Sequence, residues 1–587
     1  MNRYGSRINE DVYIETKIRY SWKCINEKCV KTDLPATCKS DTNNILNICR
    51  LICGPYGAIW PKPTQEIKLS KEIIPIHPDN INFDLKNLIK HNDAYMADKL
   101  IKQMSEIFVD DVKLLCSVNC LKILHTELYI KIVINSSETN LTWDTDESYA
   151  LHVKNNEFKI MAFIQAKTVF GARHGLVTLF QLMTTVSENN ANYLVMIKDA
   201  LIIDKPVYPH RGLLIDTSRH FLHLDTIKRT LDGMGHSKLN VLHWHATDSH
   251  SFPLKLPRIP ELAKYGAYSP EQIYTVQDIT DLISHAKKRG VRIIIEIDSP
   301  SHAGNGWQWG ESMGLGNLSV CVNKNPWRNY CVQPPCGQLN PINPNVYKVL
   351  GLLYKDLVNI FPEGEIFHMG GDEVAISCWN STQEITDFMK KEGMTRNTED
   401  FLELWAYFHN KALHTLEKIL ENNTIPVILW SSQLTFPESI AKYLDKKRFI
   451  IQTWTESTEN TSIELLEQGY KLIISTKDAW YLDHGFYGNT RYYNWATVYN
   501  NHIPEVSKGV YGGEVCMWGE YVDDFALDAR VWPRAASASE RLWSDPITSS
   551  SAALYRLLEH RERLIKLGIK AEAIIPEWCY ENEGLCE

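Results

Sequence analysis

The sequence predicts a (β/α)8 TIM barrel preceded by a small α+β domain and a disulfide-stapled N-terminal segment, and three observations carry that prediction. First, eight short apolar runs follow Arg211: Gly212–Ser218, Val241–Asp248, Val291–Asp298, Ile366–Val374, Val427–Ser431, Phe449–Trp454, Lys471–Thr476 and Val510–Trp518. Most end in polar or aromatic residues and lead into a helical segment, the pattern of parallel strands covered on both faces. Eight such units over roughly 340 residues suit a barrel with insertions. A doubly wound open sheet is the competing architecture, but no glycine-rich phosphate loop follows the first run. Second, Glu127–Ile134 alternates as a half-buried strand does, and Thr168–Leu182 has apolar residues at helical spacing, the marks of an α+β unit. Third, cysteines crowd the start of the chain.

With 587 residues the chain exceeds one ordinary domain. The expected divisions are a Cys-rich extension (1–60), an α+β domain (61–205), the barrel (206–565) and a tail (566–587). Apolar content of 44% and charged content of 23% are those of a globular protein, and a net charge of -9 argues against a nucleic-acid partner. No run of eighteen apolar residues indicates a membrane span. Fourteen cysteines include the close pairs Cys24/Cys29, Cys49/Cys53, Cys116/Cys120, Cys331/Cys336 and Cys579/Cys586. Six N-x-[S/T] sequons start at Asn135, Asn140, Asn317, Asn380, Asn422 and Asn460. Together these favour an oxidising, extracellular or lysosomal setting. Met1–Glu10 is polar and is not a signal peptide, so the expectation is that a precursor's true start precedes it. By spacing, the expected bridges are Cys24–Cys53, Cys29–Cys49, Cys331–Cys336 and Cys579–Cys586, with Cys516 a free buried thiol. A zinc knuckle on the first four cysteines is the weaker alternative.

A barrel places its chemistry at the C-terminal ends of the strands. Those ends carry Asp216, His245, Asp248, Glu296, Asp298, His302, Asp372, Glu373, Trp430, Trp454, Tyr481, Asp483, Trp518 and Glu520. Polar groups there are costly unless paired or useful. Carboxylates bond hydroxyls and indoles stack on pyranose faces, so this rim suggests a sugar site. Its sharpest part is His368-Met-Gly-Gly-Asp-Glu373, where two glycines permit a kink before two adjacent acids. One acid can protonate a leaving oxygen while the other, ionised, raises its partner's pKa.

Arg211-Gly-Leu-Leu-Ile-Asp216, His243-Trp-His-Ala-Thr-Asp248, His368-Met-Gly-Gly-Asp-Glu373 and Gly513-Glu-Val-Cys-Met-Trp518-Gly-Glu520 resemble the family 20 β-N-acetylhexosaminidases, from about Trp60 to Trp543. The N-terminal cysteines and Cys331-Val-Gln-Pro-Pro-Cys336 are similar to those of insect chitooligosaccharide-degrading members. The resemblance implies an exo-acting, retaining hydrolase of terminal β-linked GlcNAc or GalNAc, working through an oxazolinium formed by the substrate's own acetamido group. It implies Glu373 as acid/base, Asp372 on the acetamido NH and Tyr481 on its carbonyl. Arg211 would bind the 3- and 4-hydroxyls of the terminal sugar, with Asp483 and Glu520 on the 4- and 6-hydroxyls. Trp430, Trp454 and Trp518 would wall the acetamido pocket, and Trp495 would stack on the next sugar, beside Val332 and Gln333. Asp248 and His302 would relay to Glu373, with His245 as further hydrogen-bonding support. The resemblance also implies Cys321–Cys378, no cofactor or metal, and a homodimer.

Several alternatives accompany this picture. Glu296 or Glu520 would serve as nucleophile in an ordinary double displacement. His243-x-His245 would be a metal site if His302 or Asp298 completed it. Arg211, just before the first strand, would be an ion-pair partner. The scaffold would bind sugar without cleaving it if the acid pair were idle, and residues 1–60 would bind chitin rather than brace the fold. Trp532 and Trp543, in a helical pattern, are expected to be packing residues. Gln333 replaces the Glu that the insect enzymes typically carry, keeping the size and losing the charge, so an enzyme trimming N-glycan ends rather than degrading chitooligosaccharides is a further alternative.

Overall fold

The computed structural model describes residues 20–33, 45–85, 95–116, 120–121, 126–156, 159–188, 191–361, 367–421 and 425–586. Met1–Glu10, Ile366 and Asn422 lie outside them.

Seven parallel strands form one curled sheet: β1 (His210–Asp216), β2 (Val241–Thr247), β3 (Arg292–Ile297), β4 (Val427–Trp430), β5 (Phe449–Thr453), β6 (Lys471–Ile474) and β7 (Val510–Met517). Their order is β3-β2-β1-β7-β6-β5-β4. Every residue of β1, β2, β4 and β5 is buried, as strands covered on both faces must be. Among the described residues of the run expected at 366–374, His368 alone forms bridges, while Phe367, Met369 and Gly370 exchange backbone hydrogen bonds with β4. His368 bridges in parallel to Glu296 on one edge strand and to Ile428 on the other. Gly370 and Gly371, both at positive φ, end regular pairing just beyond it.

Helices cover the outer face through ordinary amphipathic spacing. Leu224–His236 buries Ile227, Leu231 and Met234, one stripe of a helix. Val276–Lys287 starts from a capping box between Thr275 and Asp278. Ahead of the parallel sheet lies a six-stranded mixed sheet containing Glu127–Ile134, whose burial alternates as the sequence predicts. Helix Val169–Gln181 is capped by Thr168 and is buried on all sides, a degree of burial that one amphipathic face does not require. The core of this region takes in Trp543 from the C-terminal helix Arg534–Ser544. Trp532 and Trp543 are both fully buried packing residues.

A buried ionic network joins this region to the start of β1. Arg211 donates to both oxygens of Glu147, at 2.9 and 2.6 Å, and its Nε donates to the Lys238 carbonyl. His174 Nε2 lies 2.8 Å from Glu147, and Lys238 reaches Asp204 at 3.2 Å. Trp543 Nε1 donates to the same Asp204 carboxylate. Arg211 is therefore not placed to bind substrate hydroxyls. It lies at the N-terminal end of its strand, fully buried, with its guanidinium saturated by protein acceptors.

The bridges Cys24–Cys53, Cys29–Cys49, Cys116–Cys120, Cys321–Cys378, Cys331–Cys336 and Cys579–Cys586 are all present, and Cys516 is a buried free thiol. The N-terminal hairpin (20–33) packs against the C-terminal tail. Trp22 Nε1 donates to the Glu581 carbonyl, the Cys29 N–H donates to Glu583, and Arg50 pairs with Glu559 at 2.9 Å. No helix among the described residues is long and apolar enough to cross a membrane.

Arg211→Ala leaves Glu147 buried without its cation and should cost about 3–5 kcal/mol in denaturant unfolding. The same network sets an acid sensitivity. Burial disfavours charge on His174 and lowers its pKa to about 4, despite Glu147 beside it. Burial opposes the Glu147 carboxylate too, but Arg211 and His174 lower its pKa to about 2. Both folded-state values lie below the unfolded ones, so the unfolded chain binds more protons. Stability is fully present above the ordinary His pKa and falls as pH drops towards 4, then further towards 2. His174→Gln should flatten the first part of that fall in Tm measured against pH.

Candidate active site

Register brings the polar strand ends together. Asp216 pairs with His245 and His245 with Glu296 across β1, β2 and β3, and Glu296 bridges to His368. Glu296 is fully buried and accepts a hydrogen bond from Trp430 Nε1 at 2.7 Å. His245 Nδ1 lies 2.7 Å from it and His243 Nε2 2.9 Å. Burial opposes the carboxylate, but the three imidazoles His245, His368 and His243 hold its pKa well below the ordinary range.

Asp372 and Glu373 follow the two glycines. A Cβ on Gly370 would overlap the Asp298 carboxylate, and one on Gly371 would sit 2.8 Å from the His409 ring. Glu373 itself has φ +52°, and His302 has φ +54°, so two non-glycine residues occupy the left-handed region side by side in function. His302 joins Asp248 at 3.2 Å through Nδ1 and Glu373 at 3.2 Å through Nε2. Asp248 also meets His245 at 3.1 Å and Arg219 at 2.9 Å. Burial alone would lower His302, but Asp248, Asp298 and Glu373 raise it well above its ordinary value, so it is an imidazolium.

Protonation differs within the acid pair. Burial pushes Asp372 up to about 7, against His302 and together with the Glu373 and Glu296 charges. Burial also disfavours the Glu373 anion, but the His302 hydrogen bond and charge prevail and lower Glu373 below its ordinary value. The residues alone left open which acid is ionised, and the resemblance implied Glu373 as the acid/base. Without substrate the balance favours the Glu373 anion, because burial is outweighed there by the direct hydrogen bond to His302 and its charge.

The aromatic residues gather beside this pair. Trp430, Tyr481, Trp454 and Trp518 form one cluster with Leu214 and Cys516. Trp454 is fixed by donating from Nε1 to the Ser431 carbonyl at 2.6 Å. Trp518 meets the His245 ring edge-on at 4.9 Å. Asp483 accepts from the Tyr487 hydroxyl at 2.9 Å, and burial with the Glu520 charge pushes its pKa up to about 7. Asp372 Oδ1, Asp483 Oδ1 and Glu520 Oε2 are buried with no protein donor among the described residues.

Arg219 is the residue that sequence reasoning missed. Its Nη1 pairs with Asp216 at 3.2 Å, its Nη2 donates to Gln333 Oε1 at 3.1 Å, and its guanidinium lies 5.3 Å from the Trp518 ring. It lies just beyond the C-terminal end of β1, and that position was the available signal. Gln333 Nε2 in turn donates to Glu520 at 3.1 Å, so one amide links a cation to an anion. A Glu at 333 offers no donor for Glu520. Val332 is 53% exposed, open to a ligand from solution. Trp495 starts the short helix Trp495–Asn500, capped by Asn494, and is half-buried.

Acid–imidazole groups close enough to hold a cation occur at His243/Glu296/His368, His245/Glu296/Asp298, Asp248/Asp298/His302 and His302/Asp372/Glu373. Direct ion pairs account for their proximity without an ion.

This constellation occurs on a chain whose residues 208–546 match the catalytic domain of glycosyl hydrolase family 20, and whose residues 59–182 match a "beta-acetyl hexosaminidase like" family. The chain belongs to glycosyl hydrolase family 20. It is an enzyme of the β-hexosaminidase type. It is 40% identical over 583 residues to a chitooligosaccharidolytic β-N-acetylglucosaminidase of Ostrinia furnacalis, covering 97% of this chain and 95% of that one. Its identity to the enzyme of the same description from Bombyx mori is also 40%, over 590 residues, with the same coverage of both chains. Among solved structures, the chitobiase of Flavobacterium johnsoniae superimposes with a TM-score of 0.68 at 27% identity, covering 87% of this chain and 73% of that one.

Gly370→Ala should fold poorly or displace Asp298. A soluble Gly370→Ala protein should show hydrolytic activity on aryl β-N-acetylglucosaminide reduced by at least about 100-fold, the scale of a displaced catalytic group.

Proposed function

We propose that the chain removes terminal non-reducing GlcNAc from β-linked chitooligosaccharides, with retention and with the substrate's acetamido oxygen as nucleophile. The observation that carries this reading is the adjacent pair Asp372 and Glu373 beside the Trp430–Tyr481–Trp454–Trp518 cluster. A protein nucleophile is not needed. Glu296 is committed to Trp430 and three imidazoles, which leaves no free carboxylate there for an ordinary double displacement.

Each side chain has a task that follows from its surroundings. The acetamido N–H donates to Asp372 and favours its anion, and the Tyr481 hydroxyl donates to the acetamido carbonyl. As the N–H stabilises ionised Asp372, the proton held on the pair moves to Glu373, which then protonates the departing oxygen. The carbonyl oxygen attacks the anomeric carbon and the bond to the leaving sugar breaks. Glu373, now a base, draws a proton from the water that opens the oxazolinium. Trp430, Trp454 and Trp518 exclude other water. Arg219 takes the hydroxyl-binding task first assigned to Arg211, and Asp483 and Glu520 offer their unpartnered oxygens to the outer hydroxyls. Trp495 and Val332 receive the next sugar.

We also infer that the curled sheet closes into a (β/α)8 ring through residues 367–371, since His368 touches both edge strands. The disulfides, together with the exposed sequon residues Asn135, Asn140, Asn317, Asn380 and Asn460, support a secreted or lysosomal enzyme.

Glu373→Gln should lower kcat/KM for a β-linked GlcNAc disaccharide by about 100- to 10,000-fold, as loss of a general acid does. A well-folded native protein that releases no GlcNAc from the disaccharide or from an aryl β-glycoside would refute the hydrolytic reading.

A further inference from the structure

Glu373 is one end of a continuous column of alternating acids and imidazoles that runs through the inside of the sheet. From Glu373 the path is His302, Asp248, His245, Glu296, His243, Glu514 and His210, with neighbouring N···O distances of 3.2, 3.2, 3.1, 2.7, 2.9, 2.9 and 2.6 Å. Glu514 pairs in register with Gly212 near the start of β1, whereas Glu373 lies beyond the strand ends. The column therefore runs from one end of the sheet to the other.

Hydrogen-bond chemistry fixes its protons. Trp143 Nε1 has a proton and no lone pair to offer, and it donates to His210 Nδ1 at 3.1 Å. His210 Nδ1 is thus an acceptor, and its Nε2–H points to Glu514. That makes His210 neutral, in keeping with the lowered pKa that burial imposes. His243, His245 and His302 each stand between two carboxylates. An anion on either side favours the doubly protonated ring in each, although Arg219 Nη1 also lies 3.3 Å from His245 Nε2 and His243 Nε2 meets Glu296 as an ion pair at 2.9 Å. Burial opposes charge on His243, but Glu514 and Glu296 raise it to about 9.

Four carboxylates (Glu373, Asp248, Glu296 and Glu514) thus face three imidazoliums and Arg219, which binds Asp248. Other groups face the column: His368 on Glu296, Gln452 on Glu514 at 3.1 Å, Asp216 by Arg219, Asp372 and Asp298 near His302, Cys516 beside Glu514, and Arg292 near His210.

We propose that Glu514, acting through His243 and Glu296, is a positioning residue for the reaction. It sets the charge of the column from the end remote from substrate, and so determines how readily Glu373 takes up the proton it must deliver. This rests on the hydrolytic reading above. Buried charges separated by protein rather than water interact over longer distances than exposed ones, which lets a distant carboxylate act.

The test is the pH dependence of kcat/KM on an aryl β-N-acetylglucosaminide. Glu514→Gln removes a negative charge from the column, favours the Glu373 anion and should move the high-pH limb down by about half a unit or more. Trp143→Phe replaces a half-buried ring and removes the donor to His210 Nδ1, which can then accept a proton. It should move the limb in the same direction, and it carries the test if Glu514→Gln does not fold. A high-pH limb that coincides with the native one in a folded variant overturns the proposal, even if kcat falls, because only a structural role would remain. A native protein without activity would instead overturn the hydrolytic reading.

Discussion

A carboxylate withdrawn from water inside a parallel sheet must be neutralised on every side, and Glu296 imposes that requirement on everything around it. Two strands and the His368 segment supply its partners. His243 and His245 come from β2, His368 from beyond β3, and Trp430 from the end of β4. The Trp430 indole that lines the aromatic cluster is held by the same acid that anchors His245, and His245 holds Asp248. Shape and charge at the site are therefore coupled. Loss of one partner would leave an uncompensated buried charge, which costs more than the pair itself contributes.

Backbone strain is the second constraint. Glu373 and His302 adopt left-handed conformations that cost about 1–3 kcal/mol each in a non-glycine residue. Packing holds them there. Gly371 N–H donates to Asp298 at 2.9 Å, and the Ser301 hydroxyl donates to the Glu373 carbonyl at 3.1 Å. The strain lets two consecutive acids meet different environments, Glu373 paired directly with His302 at 3.2 Å and Asp372 near it without that pair.

Much of this architecture was legible in the sequence, for reasons that differ by element. Runs such as Val241–Thr247 and Phe449–Thr453 stand out because burial on both faces demands unbroken apolar composition. The run at 366–374 was read as a strand, and the structure gives it one bridging residue, His368, before Gly370 and Gly371 turn at positive φ. Trp430, Tyr481, Trp454 and Trp518 were expected to meet, and the strand ends place them in one cluster. Arg211 misled because a strand has two ends and composition does not say which one a side chain serves. Arg219, eight positions on, lies at the other end. The column below Glu296 was invisible for a different reason. His210, His243 and Glu514 lie far apart in sequence and become neighbours only through the order β2-β1-β7. Protonation order within the acid pair depends on which acid faces His302, and spacing carries no information about that.

The N-terminal hairpin and the C-terminal tail meet on the same side of the molecule, with Lys31 and Glu581 paired at 2.9 Å across 550 positions of sequence. With disulfides knitting each partner internally, the polypeptide between them behaves less like a string with two loose ends than like a fastened belt. Peeling inward from either of these segments has to undo the other's contacts first. The parallel sheet is thereby shielded from fraying by residues far from its acid pair in sequence.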